Sequence, residues 1–221
     1  MTLKEETLKN VNPRQVGAEY VCLETLKQLG LKSLLSSNHW TKEQIDLTMM
    51  QIAARAIYPC SENKTVKYLR DNSALCEFFD MDPKNITKDR LYRSSLRLFS
   101  LHKEIEDFLY KKVSNMFGLE DHIFLYDLTN TFMESTRQTE LRKFGRSKEK
   151  RSDCPLVVLG AVVDTNGFPI RTHIFSGNTA DCSSMKSIME ELDPGMTSSS
   201  AKKIVVMDAG ISISDNSPVA T

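Results

Sequence analysis

Two aspartates stand where apolar runs end. In IFLYDLTNTFME, residues 123–134, Asp127 follows Ile123, Phe124, Leu125 and Tyr126. In KKIVVMDAGIS, residues 202–212, Asp208 follows Ile204, Val205, Val206 and Met207. Strands of such residues are expected to be buried, and a buried carboxylate without a partner costs several kcal/mol. At the C-terminal ends of adjacent strands in an open sheet, both carboxylates would face the crevice where ligands bind. Two carboxylates held that close need a proton or a cation between them. Hard oxygen ligands suit Mg²⁺ or Mn²⁺. A pair of such ions can activate an attacking oxygen and stabilise a leaving one in phosphoryl transfer. For either aspartate alone, capping a turn or helix is the commoner role, and Met207-Asp208-Ala209-Gly210 also reads as a simple Asp–Gly turn. The pair, in the strand order described below, is what carries the chemical reading.

Between the aspartates lies RQTELRKFGRSKEKR, residues 137–151. Arg137, Arg142, Lys143, Arg146, Lys148, Lys150 and Arg151 face only Glu140 and Glu149 there. The whole chain is neutral, with 29 basic and 29 acidic residues, so no global field draws it to nucleic acid. The segment is its one dense basic run. Beside a carboxylate–metal site such a run fits phosphate-backbone contact. A solvated loop between strands accounts for the charge equally well.

The elements that must position these residues change character near residue 120. Before it the pattern is helical. TKEQIDLTMMQIAARAIY, 41–58, opens with Thr41 and Gln44 at capping-box spacing, repeats apolar residues at helical period, and stops at Pro59. Residues 61–79 predict one or two shorter helices, and 86–118 a long helical stretch that breaks near Ser100 and closes at Gly118. After 120 the pattern predicts strands at 123–128, 156–164, 168–175 and 203–207. Asn166–Gly167 signals a hairpin between the second and third. A helix is expected at 183–192, capped by Asp181 or Ser183. The last strand, short and unbrokenly apolar, reads as a central strand covered on both faces. The fold class is therefore mixed α+β: a helical region over 1–118, then a sheet-bearing region over 119–221 ordered strand, strand, strand, helix, strand.

With 40% hydrophobic and 26% charged residues, the composition is that of a globular protein able to bury a core. No apolar run is long enough to predict a transmembrane helix, and the N-terminus lacks an apolar signal segment. Five scattered cysteines without a CxxC pair read as reduced thiols. Four scattered histidines give little support for a His-ligated metal.

YDLTNTFME, LRKFGRSKEKRSDCPLVVLGAVVDTNGFPI, FSGNTADCSSM and VVMDAG, in that order, resemble the catalytic core of insertion-sequence transposases of the IS4-like class, nearest to the IS1634 type. The resemblance covers residues 85–212 well and 1–84 loosely. It implies a ribonuclease-H-like fold, with three antiparallel strands, a helix and then a parallel strand. It also implies an Asp–Asp–Glu site holding Mg²⁺ or Mn²⁺ for strand cleavage and transfer at transposon ends. Asp127 matches the first acid and Asp208 the second. The third acid, a glutamate on a later helix, has no counterpart here. Glu190 and Glu191 precede Asp208, and Glu134 matches a position outside the triad. The expectation is a C-terminally truncated transposase, inactive or impaired, that contacts transposon-end and target DNA through Arg142, Lys143, Arg146, Lys148, Lys150 and Arg151. A homodimer on DNA, no membrane association, and a cytoplasmic, nucleoid-associated setting in a bacterium or archaeon belong to the same expectation.

Two alternatives stand beside it. Helices at about 42–57 and 61–71, joined through Pro59–Ser61, could form a helix-turn-helix-like module. It would let a non-catalytic fragment occupy transposon ends and inhibit the full-length enzyme. A different ribonuclease-H-like nuclease would need further acids near Asp127 or Asp208, and the sequence offers no convincing one.

Overall fold

The computed structural model describes residues 11–119, 123–145, 151–179 and 204–207. The chain divides into two compact units, Met1–Lys112 and Val113–Thr221. Among the described residues the architecture is mixed α+β, with seven α-helices and one four-stranded mixed sheet.

The helices begin and end where local chemistry dictates. Helix α1 (Gly17–Leu29) stops at Gly30, whose left-handed φ of 80° lets its N–H reach Lys27 O, and α2 (Leu31–Ser37) follows directly. These two helices go beyond those expected from the sequence. Helix α3 (Lys42–Ile57) carries the expected capping box: Gln44 N donates to Thr41 Oγ1, and Thr41 N donates to Gln44 Oε1. Helix α4 (Glu62–Asp71) follows a short turn that Arg55 pins, donating to Cys60 O at 2.6 Å and to Glu62 Oε1 at 2.7 Å. Helix α5 (Leu75–Phe78) is a single turn, and the long stretch breaks at Leu101 into α6 (Lys88–Ser100) and α7 (His102–Phe117).

The core of this unit gathers Leu23, Met50, Leu69, Leu75, Ile86 and Leu91. Several of its buried polar groups bond to one another, as burial favours, though Gln51 Oε1 is buried without a hydrogen-bond partner. Glu19, 1% exposed, accepts from Tyr68 Oη at 2.8 Å and from Ala74 N at 2.9 Å. Thr48 and Ser94 share a 2.7 Å hydrogen bond between α3 and α6.

In the second unit the strands run β1 (Ile123–Phe132), β2 (Leu156–Asp164), β3 (Pro169–Ser176) and β4 (Ile204–Met207), in sheet order β3-β2-β1-β4. The β1–β2 and β2–β3 pairs are antiparallel, and β4 lies parallel to β1. The DTNG turn forms as predicted. Asp164 Oδ1 accepts from the N–H groups of Asn166 and Phe168, and Gly167 takes the positive φ that favours glycine. A bulge at Val162/Val163 inserts one extra residue in β3, so Ile170 and Arg171 are buried in succession.

Two expectations are corrected. Strand β1 runs four residues past 128, because Thr129 to Phe132 continue the ladder with β2. Nor are β1 and β4 covered on both faces. In β1, Phe124, Tyr126 and Leu128 are buried while Ile123, Leu125, Asp127 and Thr129 are exposed. Strand β4 is an edge among the described residues, with Ile204 54% and Val206 45% exposed. The expected helix at 183–192, its caps Asp181 and Ser183, and the glutamates Glu190 and Glu191 lie outside the described residues. Among the described residues, no helix is long and apolar enough to cross a membrane.

Candidate functional site

Asp127 owes its position to strand alternation. Side chains point to opposite faces with period two, so the residue after buried Tyr126 emerges on the other face. It does so beside Ala161 of β2, which in turn pairs with Thr172 of β3. Its Oδ1 accepts from Leu128 N at 2.8 Å. The carboxylate is therefore exposed rather than buried, and the desolvation penalty expected for it does not arise.

It borders a shallow depression of about 280 Å³ between β1, β2 and β4, lined by Leu125, Tyr126, Asp127, Ala161, Val163, Val206 and Met207. Among the described residues Asp127 supplies the only carboxylate of this lining. Asp127 also lies in mid-strand, five residues before the end of β1, and not at a strand end as expected. It does mark the end of the β1–β4 ladder. The parallel pairing runs Ile123↔Ile204, Phe124↔Val205, Leu125↔Val206 and Tyr126↔Met207. The next residue in each chain is an aspartate. Asp208 itself lies outside the described residues, so the meeting of the two carboxylates is not seen directly. Among the described residues there is no cluster of three His, Cys, Asp or Glu side chains of the kind that holds a metal ion alone. The fit to Mg²⁺ or Mn²⁺ thus rests on one hard oxygen donor at an open depression, with the second expected at the following position of β4.

The basic segment is anchored by its backbone. Lys143 N and O pair with Leu156 O and N at 3.3 and 2.9 Å, a one-residue antiparallel bridge at the start of β2. Gly177 N donates to Leu141 O at 3.0 Å. The chains pass so closely here that a side chain on Gly177 would strike the carbonyls of Leu156 and Lys143, and one on Gly145 would strike that of Gly177. The glycines of KFGRS and FSGNT thus allow two backbone segments to touch, a role the sequence did not disclose. Close approach of this kind is one of the few uses only glycine serves.

This anchoring separates the two predicted parts of the site. Leu156 pairs with Phe132 on its other side, five residues from Asp127, or about 17 Å along the strand. Lys143, and Arg151 over the Phe132 ring, are therefore not beside Asp127. Arg142 is exposed and Lys143 partly so, as phosphate contact requires. Arg151 is engaged elsewhere: it donates to Asp153 Oδ2 at 2.6 Å and to Glu134 Oε1 at 3.1 Å, and lies over the Phe132 ring at 5.4 Å. Asp153 and then Glu134 hold its guanidinium above its usual range, and Arg151 in turn holds Asp153 below the usual carboxylate range. A phosphate approaching Arg151 would therefore compete with Asp153 and Glu134 for its guanidinium. Arg146, Lys148 and Lys150 lie outside the described residues.

The cysteines expected to be reduced are free at the described positions Cys22, Cys60, Cys76 and Cys154. Comparison with known proteins finds no matching family model, no matching curated protein and no matching solved structure.

Proposed function

We propose that this chain carries the core of an insertion-sequence DNA transposase of the IS4-like, IS1634-type class, built on a ribonuclease-H-like sheet, with Asp127 and Asp208 as paired metal ligands. The single observation that carries the reading is the register of β4 on β1. Parallel pairing ends at Tyr126↔Met207, and both chains continue with aspartate. Adjacent strands lie about 4.8 Å apart, so continuation of that register by one residue sets the two carboxylates within reach of one cation. The order of two antiparallel pairings followed by one parallel pairing supports the same assignment.

In this reading Asp127 and Asp208 hold Mg²⁺ or Mn²⁺, with water completing the coordination shell. The bound ion would polarise a phosphate oxygen of the DNA. Arg142 and Lys143, with Arg146, Lys148 and Lys150 beyond them, contact the DNA backbone away from the cleavage point. The resemblance implies a third acid on a later helix, which would complete the metal site for cleavage, while metal-assisted DNA contact needs only the first two.

Binding and cleavage of a labelled duplex, measured with and without Mg²⁺ for the wild type, Asp127→Asn and Asp208→Asn, test the proposal. The expected result is salt-dependent binding that Mg²⁺ strengthens in the wild type and in neither variant. Equal Mg²⁺ response in all three proteins would overturn the metal assignment, and failure to bind DNA at low salt would overturn the function.

A further inference from the structure

The helical unit holds a second basic site that no run of basic residues reveals. Arg90, Arg93 and Arg97 are spaced three and four apart, which places them on one face of α6. That face forms one wall of a groove of about 320 Å³ against α3, whose other wall includes Trp40, Glu43 and Thr48. The three arginines are not equivalent. Arg90 is committed: its guanidinium pairs with Glu43 and donates to Asn85 O at 2.8 Å. Arg97 lies over the Trp40 ring, 5.3 Å from its centroid. Arg93 donates only to a backbone carbonyl, Asp89 O, at 3.3 Å. Among the described residues neither Arg93 nor Arg97 forms a salt bridge, and both are exposed. The one carboxylate of the groove is already neutralised by Arg90. Two cationic forks therefore remain for an external anion. They stand one helical turn apart, about 6 Å along the axis, beside a partly exposed indole. Beneath them Thr48 and Ser94 satisfy each other across the buried α3–α6 contact, which fixes the spacing of the two walls.

We propose that this groove is a nucleic-acid contact in which Arg93 and Arg97 take neighbouring phosphates of one strand and Trp40 lies against the sugar or base between them. The proposal rests on the DNA reading above and adds to it a contact in the N-terminal unit, on α6, distinct from the α3–α4 pair of the helix-turn-helix alternative. Arginine suits the task because its planar fork meets phosphate bidentately. An aromatic ring with an arginine above it is a sequence-tolerant platform for the bases of a single strand, and against a duplex the same ring meets the sugar.

Trp40 is the single tryptophan of the chain, so its emission reports on this groove alone. The full-length protein is titrated with a short DNA duplex of arbitrary sequence while anisotropy of a labelled copy follows binding independently. The expected result is a saturable change in Trp40 emission that tracks the anisotropy. Arg93→Glu, which leaves Arg97 on Trp40, should weaken binding about tenfold and reduce the salt slope by about one. Arg142→Glu should weaken binding but leave the Trp40 response at saturation intact. Circular dichroism confirms that the variants fold, as exposed positions allow. Duplex binding with constant Trp40 emission and an unchanged Arg93→Glu affinity would overturn the groove while leaving the DNA reading in place. Saturation of the Trp40 response by inorganic phosphate or a mononucleotide as tightly as by duplex would overturn it in favour of a small-anion site. Absence of any duplex binding would remove both.

Discussion

The helical unit and the exposed face of the sheet use polar groups in opposite ways. In the helical unit, Glu19 is buried yet accepts two hydrogen bonds, Thr48 and Ser94 satisfy each other, and Arg70 donates to the carbonyls of Pro83 and Ile86. Charge and polarity there join helix to helix. In the sheet unit one face is buried by Phe124, Tyr126, Leu128, Val158, Val162 and Phe175. The other exposes Ile123, Leu125, Leu159, Ile174, Ile204 and Val206, with Asp127 the one carboxylate of its described strands. A polar group used for architecture is thus enclosed and doubly bonded. The carboxylate proposed as a metal ligand stands at an open depression among apolar neighbours.

The most severe test of this contrast is on the sheet side. Gly177→Ala forces a methyl against the Leu156 and Lys143 carbonyls and should cost about 3 kcal/mol, seen as a lowered thermal midpoint and loss of strand signal in circular dichroism. Gly167→Ala, where only the positive φ of 85° resists, should cost about 1 kcal/mol.

On the helical side, Glu19→Ala leaves the buried Ala74 N–H with only its 3.1 Å bond to Gln15 O, and Tyr68 with only its 3.4 Å contact to Gln15 Oε1. About 2 kcal/mol of stability should be lost, measured by denaturant unfolding. The same network sets a pH dependence. Burial, and then the Glu19 carboxylate, raise the Tyr68 hydroxyl above its ordinary value near 10. A group whose pKa is higher folded than unfolded contributes its full stability below the unfolded value and loses it as pH rises. Unfolding free energy should therefore decline above about pH 10, and Tyr68→Phe should flatten that decline.

Smaller effects sharpen the comparison. Thr41→Ala removes the capping box of α3 and should cost about 1 kcal/mol. Cys76, its thiol pushed up to about 11 chiefly by burial, should react with alkylating reagents far more slowly than Cys22 or Cys60, which are partly exposed. Among the basic residues, Arg142→Glu should weaken duplex binding several-fold more than Arg151→Glu, because Arg151 already has Asp153 and Glu134 as partners.

Local signals were legible wherever the physics is local. The Thr41–Gln44 spacing, the stop before Pro59, the break after Ser100 and the Asn166–Gly167 hairpin each depend on a few neighbouring residues, and each appears as the sequence indicated. Strand β2 has the bounds expected from the sequence, 156–164. What escaped depends on pairing across the chain. The polar run Thr129 to Thr131 lies past the expected end of the strand at 128, and it is β2 that extends the ladder beside it. Asp127 looks buried in a linear apolar run, but alternation turns it outward. A count of charges in 137–151 cannot see that Arg151 is claimed by Glu134 and Asp153. Conversely, Arg90, Arg93 and Arg97 look scattered until a helix lines them up. The glycines of KFGRS and FSGNT carry no local turn signal, since their need arises from each other.

The central claim is that Asp127 and Asp208 share one divalent cation. It is tested most directly by titrating the protein with Mn²⁺ and following the loss of free-ion signal by electron paramagnetic resonance, for the wild type, Asp127→Asn and Asp208→Asn. One saturable site in the wild type, weakened at least tenfold by either substitution alone, is the result the shared site predicts. Mn²⁺ binding that survives both substitutions, or that depends on only one of the two aspartates, would contradict it.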